Sequence, residues 1–287
     1  MKKNVHILYL AIMTLMLVTP AEAFKSEFIL AGEASLSLPH DLALSPDGRY
    51  LYVADNGNDR IAVLDPGTLK VIGSIGGSEL SAPHDVAFDQ KGRLLVADSG
   101  NDRVVVFTVK GVRGERVAVI QGGFKRPEGV AAYPGERVYV TGAYSDNLVA
   151  FENGVKVSAF NGLSRPHDVE TDDDGNILVV DSNNDRLLIL APDMQIVKTL
   201  SGVPYNFNGP RYAVYDKAGR IYVADKYAHM VKVIGVGDKL LGTIGTGKPG
   251  KDPGQLNTPE GVAVLGMDVW ISDTHNNRIV LYRMFEG

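Results

Sequence analysis

The chain has 287 residues, of which 45% are apolar and 22% charged, and its formal net charge at pH 7 is −5. This composition fits a globular protein and excludes disordered, collagenous and coiled-coil chains, and the mild acidity argues against nucleic acid as a partner. The chain has no cysteine, which excludes disulfides, thiol catalysis and cysteine-ligated zinc.

The N-terminus has the pattern of a cleavable export signal. Two lysines follow Met1, an apolar run spans Ile7–Val18, and the triplet Ala21-Glu22-Ala23 has a small residue at its first and third positions. The run is about half of the roughly 20 residues that a membrane helix needs. We therefore expect a signal peptide at residues 1–23 and a soluble mature chain at residues 24–287, exported to the periplasm or the extracellular space and without a membrane span.

One phrase recurs along the rest of the chain. In one copy it reads Pro83-His84-Asp85-Val86, followed by Val96-Ala97-Asp98 and then by Asn101-Asp102-Arg103. A repeat of 20–50 residues indicates a solenoid or a propeller. The copies are about 44 residues apart and open at six prolines: Pro39, Pro83, Pro127, Pro166, Pro210 and Pro259.

Each copy contains four short apolar segments separated by turn residues. In the first copy the segments are Leu42–Leu44, Leu51–Asp55, Ile61–Leu64 and Val71–Ile75. Such segments predict strands of an antiparallel meander. Four strands per repeat and six repeats predict an all-β fold, a six-bladed β-propeller of four-stranded antiparallel blades.

The two ends of the chain are predicted to meet in one blade. The last copy stops at Gly287, one strand short, while Glu27–Gly32 precedes the first copy as Val71–Gly76 precedes the second. We expect this N-terminal strand to complete the last blade and to cover an otherwise open edge.

The proline, the Val-Ala-Asp and the Asn-x-Arg of the phrase resemble the NHL-repeat family over essentially the whole mature chain. The resemblance implies the propeller fold but not a function, because the family includes scaffolds and enzymes alike. The Asn, Asp and Arg that nearly every copy shares, such as Asn184-Asp185-Arg186 and Asp181, are predicted to satisfy turn backbone groups rather than to bind a ligand.

The residue after the proline differs from copy to copy and is the better functional lead. The first strand of a blade lies nearest the central axis, so these six side chains are predicted to converge at one mouth of the channel. They are His40, His84, Glu128, His167, Arg211 and Glu260.

Aspartates follow the three histidines of this set, at Asp41, Asp85 and Asp168. Neighbouring side chains in a strand point to opposite faces, so an Asp is not expected to orient its own histidine. It remains open whether it orients a histidine of the adjacent blade.

Alternate blades divide the six side chains into two sets of three. One set is His84, His167 and Glu260, with His40 as a substitute. Two imidazoles and one carboxylate suit a single divalent metal, with zinc favoured and a fourth position open to water or substrate.

A second resemblance is to the peptidyl-hydroxyglycine amidating lyases, six-bladed propellers whose axial zinc is held by histidines of Pro-His phrases. Pro83-His84 and Pro166-His167 are similar to two of these phrases, and Tyr144 lies where the family's catalytic tyrosine would lie. The third phrase differs from the family's pattern, because it carries Glu260 in place of a histidine. The resemblance implies that Tyr144 or Glu128 moves a proton; from its ring position, Arg211 is a candidate to supply positive charge for a carboxylate-bearing substrate.

Three functions are compatible with these observations. The favoured one is a monomeric binding module that takes a protein, a peptide or a small-molecule ligand at the channel mouth or the loop face. The second is a metal-dependent lyase or hydrolase. The third, a calcium-dependent lactonase-like hydrolase, is weaker because calcium prefers oxygen ligands and the predicted ring is rich in imidazole.

Overall fold

The computed structural model describes residues 24–33 and 35–285, and the predicted signal peptide lies outside them. The described residues form 24 β-strands in six four-stranded antiparallel sheets, as the repeat predicts. No helix of the described residues is long and apolar enough to cross a membrane.

The first three complete blades follow one another along the chain. Blade 1 contains β2 to β5, at Pro39–Leu44, Leu51–Asp55, Arg60–Leu64 and Val71–Ile75. Blade 2 contains β6 to β9, at Pro83–Phe88, Arg93–Asp98, Arg103–Lys110 and Arg113–Gln121. Blade 3 contains β10 to β13, at Pro127–Tyr133, Arg137–Gly142, Asn147–Glu152 and Val155–Asn161.

The second half of the ring continues in the same order. Blade 4 contains β14 to β17, at Asp168–Thr171, Ile177–Asp181, Arg186–Leu190 and Ile196–Ser201. Blade 5 contains β18 to β21, at Pro210–Tyr215, Ile221–Asp225, Met230–Ile234 and Leu240–Ile244. Blade 6 contains β22 to β24, at Val262–Leu265, Asp268–Asp273 and Arg278–Phe285, together with β1 at Lys25–Ala31.

Short 3₁₀ segments of three residues lie between strands. Five of them directly follow the second strand of a blade, and the sixth precedes blade 2. They are Asn56–Asn58, Gly77–Glu79, Ser99–Asn101, Ser182–Asn184, Lys226–Ala228 and Thr274–Asn276.

The ring closes through the N-terminal strand, which confirms the predicted completion of blade 6. β1 pairs antiparallel with β24, from Lys25 opposite Phe285 to Ala31 opposite Val280. The backbone N–H of Gly32 then donates to the carbonyl of Ile279 at 2.9 Å. The two ends of the chain are thereby hydrogen-bonded within one sheet, and the edge of β24 is covered.

The core consists of six apolar clusters, one between each pair of adjacent blades. The cluster between blades 6 and 1 contains Leu51, Val53 and Trp270. The indole of Trp270 is 4% exposed and donates its N–H to the carbonyl of Pro66 at 2.9 Å. Because each sheet packs on both neighbours, every blade depends on the next for its apolar burial.

The turn after the second strand satisfies its own polar groups, as predicted. In blade 4 the carboxylate of Asp181 is fully buried. It accepts hydrogen bonds from the backbone N–H of Ser164 at 2.7 Å, Asn184 Nδ2 at 2.8 Å and Arg186 Nε at 2.7 Å. The repeated Asp, Asn and Arg therefore hold the turn in shape, and the structural interpretation is confirmed.

The same turn also ties each blade to the next. Asp185 has a φ of 48°, and its carboxylate accepts the backbone N–H of Gly209 in blade 5 at 2.7 Å. In blade 5 the imidazole of His229 takes this place and accepts the N–H of Thr258 at 3.1 Å. The acceptors of the six blades are Asp59, Asp102, Asp146, Asp185, His229 and Asn277.

The first strands begin differently from the prediction. In blade 1 the strand starts at Pro39, and its pairing with β3 is irregular between Pro39 and Leu42. Blades 2, 3 and 5 show the same irregularity, whereas in blades 4 and 6 the strand begins only after the ring residue. A bulge places two residues opposite one and interrupts the alternation of side chains. Neighbouring side chains such as His84 and Asp85 therefore both face the channel, at different depths, which corrects the expected opposite orientation.

Candidate functional site

The six side chains after the repeated prolines converge at one mouth of the channel, as predicted. His84, Glu128, His167, Arg211 and Glu260 are buried, and His40 is partly buried. Adjacent blades contact each other through these side chains in a nearly closed ring. The ring thus consists of neighbour-to-neighbour pairs rather than of two alternating sets.

Glu128 is the centre of one half of the ring. Its Oε2 lies 2.6 Å from His167 Nε2, and its Oε1 lies 3.8 Å from His84 Nε2 and 3.0 Å from Arg126 Nε. On the far side of His167, Arg211 Nη1 lies 2.6 Å from the same Nε2. Blades 2 to 5 are therefore linked through one carboxylate, two imidazoles and two guanidinium groups.

Backbone contacts set the orientation of both histidines. The Nδ1 atom of His84 lies 2.9 Å from the carbonyl of Ala82, and that of His167 lies 3.0 Å from the carbonyl of Arg165. In both rings Nδ1 is therefore turned toward the backbone and Nε2 toward Glu128. Arg211 Nη1 also lies 2.9 Å from Nδ1 and 2.6 Å from Nε2 of His167.

Glu260 is the centre of the other half. Its Oε2 lies 2.6 Å from His40 Nδ1, and its Oε1 lies 2.5 Å from Lys226 Nζ. The rings of His40 and His84 are 4.3 Å apart between centroids, which joins the two halves. Among the described residues, Glu260 and Arg211 make no ion pair within 4.0 Å, so the ring is left open at this one place.

These contacts determine the charge of the ring. Burial by itself would raise the pKa of Glu128, but His167, His84 and Arg126 outweigh it and hold that pKa below its ordinary value. His40 and Lys226 likewise hold the pKa of Glu260 low despite its burial. Both side chains are therefore carboxylates at neutral pH.

Two blades depart from the common turn, and both place a tyrosine at the mouth. In blade 3, Gly142 stands where the other blades have the buried Asp, and Tyr144 is 61% exposed. In blade 5, Ala228 replaces the Asn and Met230 the Arg, and Tyr227 is 51% exposed. The equivalent turn position is glycine in blades 1 and 2, so the rim carries no side chain there.

Each tyrosine is flanked by two cationic groups. The guanidinium carbons of Arg126 and Arg165 lie 5.2 and 5.1 Å from the ring centroid of Tyr144. Around Tyr227, the guanidinium carbon of Arg211 lies at 5.8 Å and Lys226 Nζ at 5.7 Å. Four cationic side chains thus lie around the two tyrosines, above a ring that contains two carboxylates.

The family model of the NHL repeat matches residues 80–107 and 163–190, the second and fourth copies of the phrase. The other four blades repeat the same strand order and the same blade-to-blade bonds. The chain is a six-bladed β-propeller in which two of the six copies match the NHL repeat. A search of curated proteins gives no match to this propeller.

Solved structures share the fold of this propeller at low identity. Streptogramin B lyase has a TM-score of 0.65 and 13% identity, over 93% of this chain and 100% of its own. Virginiamycin B lyase from Staphylococcus aureus has a TM-score of 0.62 and 13% identity, over 85% of this chain and 80% of its own. An auxiliary nutrient binding protein from Bacteroides thetaiotaomicron has a TM-score of 0.70 and 13% identity, over 92% of this chain and 77% of its own. At these identities the likeness shows the fold alone.

Below the ring, Tyr212 covers the inner cavity of the propeller. Tyr212 occupies the position of the aspartates in other blades, and its hydroxyl lies 2.9 Å from the carbonyl of Glu128 and 3.1 Å from that of His84. Underneath is a cavity of about 240 Å³ lined by the first strands of all six blades. The mouth and the inner cavity are therefore separate compartments.

The aspartates beside the ring bond to backbone and not to histidines. The carboxylates of Asp85 and Asp168 accept the N–H groups of Val130 and Ala213 in the adjacent blades. The hypothesis that they orient a neighbouring histidine is therefore wrong for these two residues. Gly129 takes the aspartate's position in blade 3 because an added Cβ would come within 2.6 Å of the carbonyl of His167.

The predicted metal ligands lie in the ring but not as one coordination set. Glu260 contacts His40 and Lys226, whereas His84 and His167 flank Glu128. Among the described residues no group of three His, Asp or Glu side chains is arranged to hold a metal ion. In this structure the three predicted ligands therefore lie in separate pairs.

Sequence reasoning missed three side chains of the mouth, Lys226, Arg126 and Arg165, for reasons that the repeat explains. Lys226 stands where four of the other blades have Asn, Ser or Thr, whose side chains bond the next proline carbonyl. Arg126 and Arg165 directly precede the prolines, and Tyr227 shares its turn position with Tyr144. Aligning the six turns and the six residues before the prolines, and not only the post-proline residues, would have found all three.

Proposed function

We propose that this propeller is a ligand-binding module whose ligand binds at the mouth of the channel, over the ring and between Tyr144 and Tyr227. The observation that carries the proposal is the departure of blades 3 and 5 from the structural turn. These two blades lack part of the repeated hydrogen bonding and instead expose an aromatic ring beside two cations. Exposed aromatic and arginine side chains around a concave polar surface are typical of binding sites.

The compartment below the mouth supports the same interpretation. Tyr212 separates the ring from the inner cavity, so a ligand at the mouth meets a floor of buried, charged side chains. Similar folds include a nutrient binding protein and two lyases by their names. Because that likeness shows the fold alone, the choice of binding over catalysis depends on the geometry of this mouth.

The proposal is tested by ligand-observed NMR with a library of small aromatic and aliphatic compounds. We expect hits to bind the native protein and to lose most of their binding to the double variant Tyr144→Ala, Tyr227→Ala. The matched control is Val155→Ala, which removes an exposed apolar side chain, 66% exposed, from the outer strand of blade 3. Hits that bind the double variant as well as the native protein would contradict a ligand site at the mouth.

Two further proposals need separate tests. A metal held by His84, His167 and Glu260 would appear as about one metal ion per chain in elemental analysis of protein purified without chelator, and the double variant His84→Ala, His167→Ala would lose it.

Export is supported by the charged, apolar and small-residue pattern of residues 1–23. N-terminal sequencing of the mature protein should then begin at Phe24.

A further inference from the structure

The blade-5 side of the mouth contains a buried cation without an anion. Only two cationic side chains, Arg211 and Lys232, fall in the buried class among the described residues. Lys232 is paired with the buried carboxylate of Asp225. Arg211 is 9% exposed and has no carboxylate within 4.0 Å in the part of the chain that the structure describes. Buried charges are normally paired, so this guanidinium lacks the partner that the other cation has.

The contacts of Arg211 leave part of its guanidinium group without a hydrogen-bond partner. Nη1 contacts His167, and Nη2 lies 3.4 Å from the hydroxyl of Tyr227, a long contact. Nε is buried and has no hydrogen-bond partner. The nearby carboxylate of Glu260 is already taken by Lys226 and His40. No carboxylate of the described residues is therefore placed to pair with the free edge of this guanidinium.

The surroundings of Arg211 define what would fit there. The half-exposed ring of Tyr227 provides a flat apolar face, and Lys226, whose Nζ lies 5.7 Å from the ring centroid, adds a second positive charge. A guanidinium fork binds an oxyanion with two parallel hydrogen bonds. A flat or apolar group attached to the oxyanion would stack on the tyrosine.

We infer that Arg211, Lys226 and Tyr227 form an oxyanion subsite, which binds the carboxylate or phosphate group of a ligand whose adjoining part is flat and apolar. The inference rests on the proposed function and names the class of ligand. The same chemistry is offered by aromatic carboxylates and by aryl phosphates, and the experiment separates the two.

The experiment compares charged and neutral probes of one shape. The probes are 4-hydroxyphenylacetate, its neutral amide 4-hydroxyphenylacetamide, and phenyl phosphate, titrated by NMR into the full chain at low salt. We expect at least one anion to bind about tenfold or more tightly than the amide, as a charge-assisted hydrogen bond provides. The preferred anion identifies the source, and added salt should weaken its binding.

Variants assign the effect to Arg211. Arg211→Met should abolish the preference for the anion, and Arg211→Lys, which keeps the charge but loses the fork, should reduce it. Melting curves and circular dichroism establish that each variant is folded. The matched control is Arg116→Met on the outer strand of blade 2, where an exposed arginine pairs with Glu79; it should leave the preference unchanged.

The outcomes separate the inference from the proposed function. Equal binding of the amide and both anions, with weaker binding to the double tyrosine variant, leaves the proposed function standing and overturns the oxyanion subsite. An anion preference that persists in folded Arg211→Met also overturns it. If none of the three probes binds saturably, the proposed function and the inference both fail.

Discussion

Blades 4 and 5 are neighbours with the same four-stranded sheet, but they use the turn after the second strand differently. In blade 4 the turn is closed by Asp181, whose carboxylate accepts hydrogen bonds from Asn184 and Arg186. In blade 5 the Asn and Arg are absent, and the buried Asp225 is instead paired with Lys232 from within β20. The replacement keeps the buried carboxylate paired while the turn itself gains Lys226 and Tyr227.

The difference shows how one repeat can serve either the fold or a ligand. In blade 4 the side chains of the turn face their own backbone and the next blade. In blade 5 the buried Lys232 pairs with the Asp of the turn from the interior, and Lys226 and Tyr227 of the turn face the mouth. We therefore expect substitutions in the turn of blade 4 to change stability, and those in the turn of blade 5 to change binding.

The largest effect is expected for Asp181→Ala in blade 4. The change leaves the guanidinium of Arg186, the amide of Asn184 and one buried backbone N–H without their acceptor. We expect a loss of about 3–5 kcal/mol in the free energy of unfolding, measured by chemical denaturation. The exposed Asp193→Ala in the same blade is the control and should change it by less than about 0.5 kcal/mol. A loss below about 1 kcal/mol for Asp181→Ala would contradict the structural role.

Lys232→Met in blade 5 tests whether the lysine replaces the missing turn arginine. It leaves Asp225 buried without its cation, and we expect a loss of about 2–4 kcal/mol. The double variant Asp225→Asn, Lys232→Met removes both charges and keeps an acceptor for the N–H of Asn208, so it should recover a large part of the loss. Additive losses in this double-mutant cycle would show that the two side chains do not act as a pair.

The predictability of each region follows from the same contrast. The fold, the ring closure and the convergence of the six ring residues were predictable because spacing and strand pattern repeat in every blade. The predicted metal set of alternate blades depends on distances between side chains, which the spacing of the repeats does not give. The structure pairs neighbours instead, because a bulge and a backbone contact set where each ring side chain points. Lys232 could not be anticipated, since its role depends on a side chain of β20 reaching Asp225 at the end of the neighbouring strand β19.

Glu170 gives a smaller effect, which depends on pH. It lies on β14 of blade 4, beside the inner cavity, and burial together with the charge of Asp85 raises its pKa to about 7. The folded state therefore holds the proton more tightly than the unfolded chain, whose carboxyl has a pKa near its ordinary value of 4.5. Stability from this group is fully present below about pH 4.5 and is lost as the pH rises to about 7.

The variant Glu170→Gln should remove this loss. We expect it to be more stable than the native protein by on the order of 2 kcal/mol at pH 8, with little difference at pH 4.5. Denaturation curves at several pH values measure the difference, and the exposed Glu115→Gln should show no comparable dependence. A difference that is the same at pH 4.5 and pH 8 would mean that Glu170 does not titrate in this interval.

The smallest effect on stability is expected for Tyr227→Ala in blade 5, although its effect on binding should be large. The ring is half exposed and packs mainly against Gly209 and the cations of the mouth, so its removal should change the free energy of unfolding by no more than about 0.5–1 kcal/mol. Binding of the mouth probes should fall in the same protein. If the variant lost as much stability as Asp181→Ala and bound the probes as the native protein does, Tyr227 would stabilise the fold rather than bind a ligand. The turns of blades 4 and 5 would then have the same structural role.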